Sequence, residues 1–332
     1  MKKICFIIST LLLLASCRND KKPESFTLAT YNVQCFFDSV TDGTEYSDFS
    51  GPKSKWNEEK YVHRLKKLSA VIKEIDSDII ALQEIENEEV LKDIINYLSM
   101  DNPYKYGAFA KESGGVFGCG VLSRYPIISM KTAQVQFFST DSRYEVELRP
   151  QLQIFISLDE SKSSDLCLFV VHWKSKSVKT KSLIKTAELR RMQEKLLASS
   201  ILSVPDKIPV VAAIGDFNQD VTEFDYDESG TVLLHGFKDE THAFSPWFLS
   251  QDFENTGSYY YQDKWEKIDN IFLCRPLNSS ILQDFSTVSE GTHTDEDGIP
   301  IPYKVYSDYG WSDHLPLKAK FSVLTQEGKS AF

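Results

Sequence analysis

The sequence has few cysteines, and they are not spaced for a metal site. Six occur in 332 residues, and no two form a Cys-x-x-Cys pair. This spacing excludes the common zinc modules, which hold their ion with closely spaced cysteines and histidines. Three of the four cysteines beyond residue 17 lie in apolar, strand-like segments. A buried thiol is the usual explanation there, and one disulfide is the alternative.

Positive charge is also scarce. The chain carries 37 lysines and arginines against 48 acidic residues, which gives a formal net charge of −11 and a sequence pI near 5.1. This balance excludes a passive basic sleeve for nucleic acid, because binding to phosphates normally rests on clustered Lys and Arg. It does not exclude an enzyme that concentrates positive charge in one cleft. With 42% hydrophobic residues, the chain is long enough for one large domain.

A long apolar run is missing as well, apart from a short one near the start. Residues 4–14 follow two lysines in the pattern of a secretory signal, and they are too few to span a bilayer. The segment Leu14-Ala15-Ser16-Cys17 resembles the lipobox of bacterial lipoproteins, in which the signal is cleaved before an acylated cysteine. Cleavage would remove two lysines and no acid, so the mature charge becomes −11 − 2 = −13. The alternative is an ordinary cleaved signal with a chance cysteine.

These features predict how the chain is divided. Residues 1–16 are expected to be the signal peptide, and 17–25 the lipidated Cys17 with a polar tether. The folded domain is predicted at 26–325 and a tail at 326–332. The expected location is outside the cytoplasm, anchored by lipid to the bacterial outer membrane and facing the periplasm or the cell exterior. A monomer is the default expectation.

Helix and strand patterns alternate along the domain. Between residues 58 and 75 apolar residues recur every three or four positions, which predicts a helix. Its apolar face is predicted to contain Val62, Leu65, Leu68, Ile72 and Ile75. Further helices are predicted around 90–98 and 180–203. Strands are predicted at 26–37, 78–83, 209–214, 259–261, 268–273 and 315–323, with shorter ones around Tyr104, Val121, Ile127, Leu152 and Phe169. Strands outnumber helices in mixed order, which predicts an α/β (α+β) fold of packed sheets flanked by helices.

Several polar residues follow directly on apolar strands, where loops hold side chains in a shared site. They are Asn32, Glu84, His172, Asp216, Asn218, Asp269, Asp313 and His314. Each has an ordinary explanation when taken alone: a turn former, an exposed strand end, a half-buried histidine or a loop tie. Their common suitability for one chemistry favours a functional interpretation.

That chemistry is phosphoester hydrolysis with a hard cation. Glu84 and Asp313 supply the carboxylate oxygens that Mg²⁺ prefers. Asp216 is suited to orient or deprotonate a water, and Asn218 to donate to a phosphate oxygen without repelling it. A histidine beside a carboxylate stays oriented and protonated, so His314 with its partner Asp269 is suited to stabilise developing charge.

The histidine that ends the apolar strand before Trp173 has two possible roles. His172 is suited either to protonate the leaving oxygen or to hydrogen-bond the phosphate.

The polar residues lie in segments that resemble one family in its order along the chain. The segments are Thr30-Tyr31-Asn32-Val33, Leu82-Gln83-Glu84, Gly120-Val121-Leu122-Ser123-Arg124-Tyr125-Pro126, Val171-His172-Trp173-Lys174-Ser175-Lys176, Gly215-Asp216-Phe217-Asn218, Ile268-Asp269-Asn270-Ile271-Phe272 and Ser312-Asp313-His314-Leu315-Pro316. From residue 27 to 323 the chain resembles the endonuclease/exonuclease/phosphatase superfamily, with the fold of deoxyribonuclease I. The resemblance implies a four-layer sandwich of two mixed β-sheets between helices, with the site at one rim.

The resemblance also implies roles for the matched residues. Asn32, Glu84 and Asp313 hold or help hold the metal. The catalytic set is His172, Asp216, Asn218, Asp269 and His314. Arg149 resembles the phosphate-binding arginine of the deoxyribonuclease I branch, or is a surface residue at a strand end. Lys174 and Lys176 add positive potential. The expected cofactor is Mg²⁺, with Mn²⁺ or Ca²⁺ as alternatives. The resemblance allows either one or two bound ions.

Three functions compete within this interpretation, because a fold does not fix a substrate. The first is a nuclease, specifically an endonuclease on DNA or RNA. It is favoured because His172 resembles the second histidine of the deoxyribonuclease I branch of the family. A lipid, inositol or other small phosphoester substrate is the alternative, and an aromatic rim beside the phosphate site would favour it. A binding protein without turnover is disfavoured, since the carboxylates and both histidines are present.

Overall fold

The computed structural model describes residues 22–99, 104–139, 144–176 and 185–324. The predicted signal peptide, Cys17, most of the tether and the tail 326–332 lie outside these residues. None of the described helices is long and apolar enough to cross a membrane. The described cysteines are free thiols, with Cys119 and Cys167 buried.

Strands dominate the described chain, as the sequence predicts. In order they are β1 (Ser25–Phe36), β2 (Ile79–Ile85), β3 (Tyr106–Ala110), β4 (Gly118–Ser123), β5 (Ile127–Ala133), β6 (Gln136–Ser139), β7 (Tyr144–Glu147), β8 (Gln151–Ile156), β9 (Leu166–His172), β10 (Val210–Asp216), β11 (Asp225–Tyr226), β12 (Thr231–His235), β13 (Glu240–Phe244), β14 (Tyr259–Tyr261), β15 (Lys264–Glu266), β16 (Asp269–Arg275), β17 (Leu282–Thr287) and β18 (Leu317–Ser322). The α-helices are α1 (Ser47–Ser50), α2 (Glu58–Ile75), α3 (Glu88–Leu98) and α4 (Thr186–Leu202).

The strands form two large mixed sheets. Sheet A has six strands in the order β17-β18-β1-β2-β4-β3, and sheet B has eight in the order β11-β12-β13-β16-β10-β9-β8-β5. Parallel pairs, β1 with β2 and β9 with β10, lie at the centre of each sheet, and antiparallel strands flank them. Parallel central strands end at the same edge, which prepares one edge of each sheet for a site.

Alternation of side chains along each strand builds the layers. In β1, Phe26 and Leu28 face the core between the sheets, whereas Ala29 and Tyr31 face the core beneath the helices. The intersheet core continues into sheet B through Leu168 and other apolar side chains. The sheets therefore pack face to face on a continuous apolar layer.

Helices cover the two outer faces. The apolar faces of α2 and α3 pack on sheet A, and α4 packs on sheet B through Leu197, Ala198 and Ile201. An asparagine caps the N-terminus of α2: the side chain of Asn57 accepts from the amide of Lys60. The order is helices, sheet A, sheet B, helix, so the predicted four-layer α/β sandwich is confirmed.

Two local predictions differ from the structure. The apolar face of α2 is centred on Tyr61, Leu65 and Leu68, and Val62 is 46% exposed, because the buried stripe is rotated toward Tyr61. In the last third the sequence predicts strands only at 259–261, 268–273 and 315–323, yet the structure also has β12, β13 and β17 there. These strands are short and half-exposed, so their alternation is weak.

Candidate active site

Three neighbouring strands of sheet B bring three predicted residues into one row. His172 ends β9 and pairs in register with Asp216 at the end of β10, and Asp216 pairs with Asp269 at the start of β16. All three side chains are buried. Each of these positions was predicted from an apolar strand next to a polar residue. In the structure all three polar residues lie at one edge of sheet B.

Sheet A contributes from the facing edge. Asn32 lies near the end of β1, and its Nδ2 donates across the intersheet space to Asp216 Oδ2 at 3.0 Å. Glu84 lies in a bulge of β2 with a left-handed φ of 64°, where β2 loses register with β4. The site thus straddles the two sheets at one rim, as the family resemblance implies.

The glycine before Asp216 is required by the close approach of two strands. Gly215 has a φ of 134°, and a Cβ there would lie 2.0 Å from the carbonyl oxygen of Val171. Only glycine fits this position. Because Gly215 has no side chain, β10 can lie close to β9 at this point. This close approach determines the position of Asp216.

Asp216 is held by hydrogen bonds at both oxygens. Its Oδ1 accepts from the amide of Asn218 at 2.7 Å, and its Oδ2 accepts from the side-chain amides of Asn218 and Asn32, each at 3.0 Å. Burial and the neighbouring charge of Asp269 raise the Asp216 pKa to about 7. A pKa near neutrality suits a proton acceptor at physiological pH.

The predicted carboxylate–histidine pair is present. His314 Nδ1 lies 2.7 Å from Asp269 Oδ2, and both residues are buried. Burial alone would lower the pKa of His314, but the Asp269 carboxylate outweighs it and raises that pKa to about 10. His314 is therefore a buried imidazolium at neutral pH.

The second histidine is in the opposite state. Nε2 of His172 lies 2.8 Å from Arg149 Nη1 and 3.5 Å from Asp216 Oδ2. Because a guanidinium only donates, His172 accepts at Nε2 and carries its proton on Nδ1. Burial and the charges of Arg149, His314 and Lys174 lower its pKa well below the usual value. This disfavours the proton-donor role and favours hydrogen bonding.

The basic residues predicted for phosphate lie on the His172 side. Arg149 Nη1 also donates to the carbonyl of Trp173 at 3.1 Å. Lys174 is half-buried, and burial together with Arg149 lowers its pKa. Lys176 forms ion pairs with Glu223 at 2.7 Å and Glu266 at 3.1 Å, which neutralise its charge. Of the basic residues predicted for phosphate, Arg149 and Lys174 are therefore the ones that add positive charge to that of His314.

The residues predicted for a metal fit a hard cation. Glu84 Oε2 accepts from the amide of Cys35 at 2.6 Å, whereas Oε1 has only longer contacts, 3.4 Å to Asn32 Nδ2 and 3.7 Å to His172 Nε2. Burial and the charge of Glu84 raise the pKa of Asp313. Glu84 and Asp313 therefore influence each other electrostatically, and carboxylate oxygens are the ligands that Mg²⁺ prefers. The side-chain oxygen of Asn32 accepts from the amide of Gln34 at 3.0 Å. Asn32 supports Glu84 by donating to its carboxylate through Nδ2.

A second acidic group lies deeper. Ligand atoms of Asp216, Asp269 and His314 all lie within 4.8 Å of one another. The hydrogen bond to Asp269 and the raised pKa of His314 keep that imidazole protonated, so it is not a metal ligand. Asp269 Oδ1 has no hydrogen-bond partner among the described residues, which leaves one free acceptor beside Asp216.

Three residues without a predicted role also hold the site together. Ser312 Oγ donates to the carbonyl of Asn32 at 2.6 Å and accepts from the amide of His314 at 3.1 Å. Ser258 Oγ accepts from the amide of Asp269 at 3.1 Å. The ring of Tyr259 lies 4.9 Å from that of His314. Ser312 stands within a matched motif, whereas Ser258 carries no sequence signal.

Comparisons with known proteins identify the family and the fold. Residues 27–298 match the model of the Endonuclease/Exonuclease/phosphatase family. Similar solved structures include truncated TDP2 from Caenorhabditis elegans, at 14% identity and a TM-score of 0.53, covering 90% of this chain and 97% of that one. A family protein from Bacteroides thetaiotaomicron has 15% identity and a TM-score of 0.53, covering 92% and 100%.

A further likeness is to the 3′ phosphatase NExo from Neisseria bound to a product DNA hairpin. It has 11% identity and a TM-score of 0.53, covering 90% of this chain and 99% of that one. No curated protein matches the sequence. At these identities the structures show a common fold, and the family model extends that likeness to the sequence. The chain belongs to the endonuclease/exonuclease/phosphatase family, whose members are metal-dependent hydrolases of phosphoesters.

Proposed function

We propose that this protein is a Mg²⁺-dependent phosphodiesterase and, more specifically, a nuclease. The observation that carries the proposal is the position of Asp216, held by Asn32 and Asn218 and next in register to Asp269, the partner of His314. A hydrogen-bonded carboxylate beside a buried imidazolium places a proton acceptor next to a fixed positive charge. Both groups assist in-line attack of water on a phosphodiester, the acceptor by taking a proton and the positive charge by stabilising the developing negative charge.

Asp216 is proposed to orient the attacking water and take its proton. Its carboxylate accepts three hydrogen bonds, so its direction is fixed before substrate arrives. Its raised pKa gives it the basicity to accept a proton near pH 7. Asp269, next in register to Asp216, is proposed to act through His314, with which its Oδ2 is paired at 2.7 Å.

The charge that develops on phosphate is proposed to meet fixed donors. His314 presents an imidazolium held by Asp269, and Arg149 presents a guanidinium beside His172. Asn218 is proposed to orient Asp216, since its side-chain amide donates to Asp216 Oδ2 and to the carbonyl of Trp173. His172, which accepts from Arg149 at Nε2, is proposed to orient that guanidinium. Mg²⁺ held by Glu84 and Asp313, with Asn32 in support, supplies further charge stabilisation when bound.

Nucleic acid is the proposed substrate class. The NExo structure contains a product DNA hairpin, and Danio rerio TDP2, at 15% identity and a TM-score of 0.51, contains a single-stranded DNA product. These are properties of those proteins, and they support the proposal because the fold is common. Arg149 and Lys174 supply local positive charge on a chain whose formal net charge is −11.

A lipid, inositol or other small phosphoester is the second candidate. It is favoured by the aromatic side chains beside His314, where Tyr259 and Tyr261 stack at 6.2 Å. The other aromatic segment, Pro246 to Phe248, does not form a rim, because Trp247 is buried and donates to the carbonyl of Asp269.

Export and lipidation at Cys17 are proposed as the context of this activity. The basis is the short apolar run and the lipobox-like segment before Cys17. Labelling cells with radioactive palmitate checks this directly. Label on the wild type and none on Cys17→Ala is expected, whereas equal labelling would contradict the anchor.

Nicking of supercoiled plasmid by the chain from Lys21 onward tests the nuclease. We expect nicked circles with Mg²⁺, none with EDTA, and a loss of at least about 100-fold in His314→Ala. A folded protein that leaves plasmid and RNA intact, yet hydrolyses a lipid or inositol phosphoester, would transfer the proposal to the second candidate. Nicking that survives His314→Ala would contradict the proposed site.

A further inference from the structure

Helix α2 buries an arginine behind the candidate site. Arg64 is only 2% exposed, and its guanidinium lies over the rings of Tyr303 and Phe36, at 3.9 and 4.7 Å from their centroids. Burying an ionised side chain is costly unless its donors are satisfied. The interior position of Arg64 therefore needs an explanation beyond the apolar packing of α2.

The guanidinium donates to one short backbone segment. Nη1 of Arg64 donates to the carbonyl of Cys35 at 2.7 Å, and Nη2 donates to the carbonyls of Val33, at 3.0 Å, and Gln34. These three consecutive carbonyls belong to the bulge in which β1 loses register with β2. None of these hydrogen bonds goes to a carboxylate, so Arg64 acts on the backbone of the bulge.

The bulge of β1 is strained, and two of its backbone amides donate to side chains of the candidate site. Gln34 and Cys35 have left-handed φ angles of 50° and 53°. Such a conformation is unfavourable for a non-glycine residue and persists where its surroundings hold it. In this conformation the Cys35 amide donates to Glu84 Oε2 and the Gln34 amide donates to Asn32 Oδ1.

We propose that Arg64 is a positioning residue for the metal site. By holding the carbonyls of 33–35 from the side of α2, it fixes the amides that orient Glu84 and Asn32 on the other side. The inference rests on the proposed function, in which Glu84 helps hold the cation. Removing a group behind metal ligands typically weakens metal affinity about 10- to 100-fold.

Binding of Mn²⁺ to the full-length chain without substrate tests this role, with the free ion followed by its paramagnetic resonance. Arg64→Lys keeps the charge but loses the forked donors that reach three carbonyls. We expect its Mn²⁺ dissociation constant to rise about tenfold or more. At saturating Mn²⁺, kcat is expected to change much less than the metal affinity, which a general loss of structure would not produce.

Arg275→Lys is the matched control. Arg275 also donates to three carbonyls, those of Val204, Pro205 and Ile208, but it stands at the opposite end of β16 from Asp269. We expect this change to leave Mn²⁺ affinity unaltered. Glu84→Gln is the second reference, because it removes a proposed ligand directly.

The outcomes separate this inference from the proposed function. Unchanged Mn²⁺ affinity in Arg64→Lys, with weakened binding in Glu84→Gln, overturns the positioning role alone. Unchanged affinity in Glu84→Gln means that the proposed metal site is wrong, and the inference with it. If Arg64→Lys does not fold, Arg64→Gln, which buries no charge, replaces it. Failure of both beside a folded Arg275→Lys indicates a purely structural arginine and overturns the proposal.

Discussion

At the scale of single residues, Asp269 keeps a positive charge stable inside the protein. Burial lowers the pKa of His314, and the Asp269 carboxylate reverses that effect and raises the pKa to about 10. Since this pKa lies above that of a free histidine, the interaction is complete below about pH 6.5 and is lost as the pH rises through about 10. Activity that needs the imidazolium therefore extends into the alkaline range.

Asp269→Asn is expected to remove this protection. With burial no longer opposed, the His314 pKa falls, so the alkaline limb of the pH–rate profile moves down by more than about one pH unit. We expect kcat near pH 8 to fall about 10²- to 10³-fold. Asp252→Asn, an exposed acid outside the site, is the control. An alkaline limb that stays in place would contradict the imidazolium role.

Glu86 is a buried carboxylic acid outside the proposed chemistry, and it makes stability depend on pH. It is 1% exposed, and burial raises its pKa to about 7 although the amide of Asp38 opposes this shift. The folded protein therefore holds this proton more tightly than the unfolded chain. The free energy of unfolding accordingly falls as the pH rises from about 4.5 to about 7.

Glu86→Gln is expected to abolish that loss. The amide keeps an oxygen for the Asp38 amide and carries no charge to bury, so the variant should be more stable at pH 8 by on the order of 1–3 kcal/mol. Urea unfolding at pH 5 and pH 8 measures the difference. A variant that is less stable than the wild type at pH 8 would show that the ionised carboxylate stabilises the fold there and would contradict the raised pKa.

At the scale of elements, the hairpin of β14 and β15 is attached directly to the proposed chemistry. The amide of Leu315 donates to the carbonyl of Ser258 at 2.7 Å, and Tyr259 forms a bridge with His314. Tyr261 stacks on Tyr259 and is 53% exposed. The hairpin thus presents a ring toward solvent beside the imidazolium.

Tyr261→Ala is expected to weaken substrate binding without slowing the chemical step. If a nucleobase stacks on the exposed ring, the KM for a single-stranded oligonucleotide should rise about 5- to 50-fold while kcat changes less than about twofold. Phe237→Ala, which removes an exposed ring on the turn between β12 and β13, should change neither value. An unaltered KM would exclude the hairpin as a substrate contact.

Sequence patterns predicted some elements more accurately than others, for a physical reason. Helix α2 was predicted at its observed bounds, because an 18-residue amphipathic segment with an asparagine cap has strong local signals. The central strands were predicted too, since both of their faces are buried and their sequences are continuously apolar. Strands β12 and β17 lie toward sheet edges, where only one face is buried, and their patterns are weak.

Site residues also differ in how well the sequence predicts them. Residues at the ends of central strands, such as His172 and Asp216, could be identified because an apolar run points to them. Arg64 and Ser258 could not, since their roles arise from contacts with distant backbone groups. A charged residue on the apolar face of α2 was the one available signal for Arg64.

At the scale of the whole molecule, carboxylates from both sheets meet at one rim, so binding of a cation should stabilise the entire fold. Saturation of one Mn²⁺ or Mg²⁺ site at about 100 times its dissociation constant contributes about 2.7 kcal/mol. For a domain of this size we expect Tm to rise by about 4 °C. Glu84→Gln should lose this shift, and Glu240→Gln, an exposed acid elsewhere, should retain it. Equal shifts in both variants would place the cation outside the proposed site.

The pairing of β1 with β18 has a consequence for the timing of synthesis. The first and last described strands are neighbours in sheet A, and His314 lies just before the last one. A growing chain therefore contains Asn32 and Glu84 long before the residues that complete the rim. A nascent chain still on the ribosome lacks His314 and its motif until nearly the whole domain has been translated, so the rim is not completed before the end of synthesis.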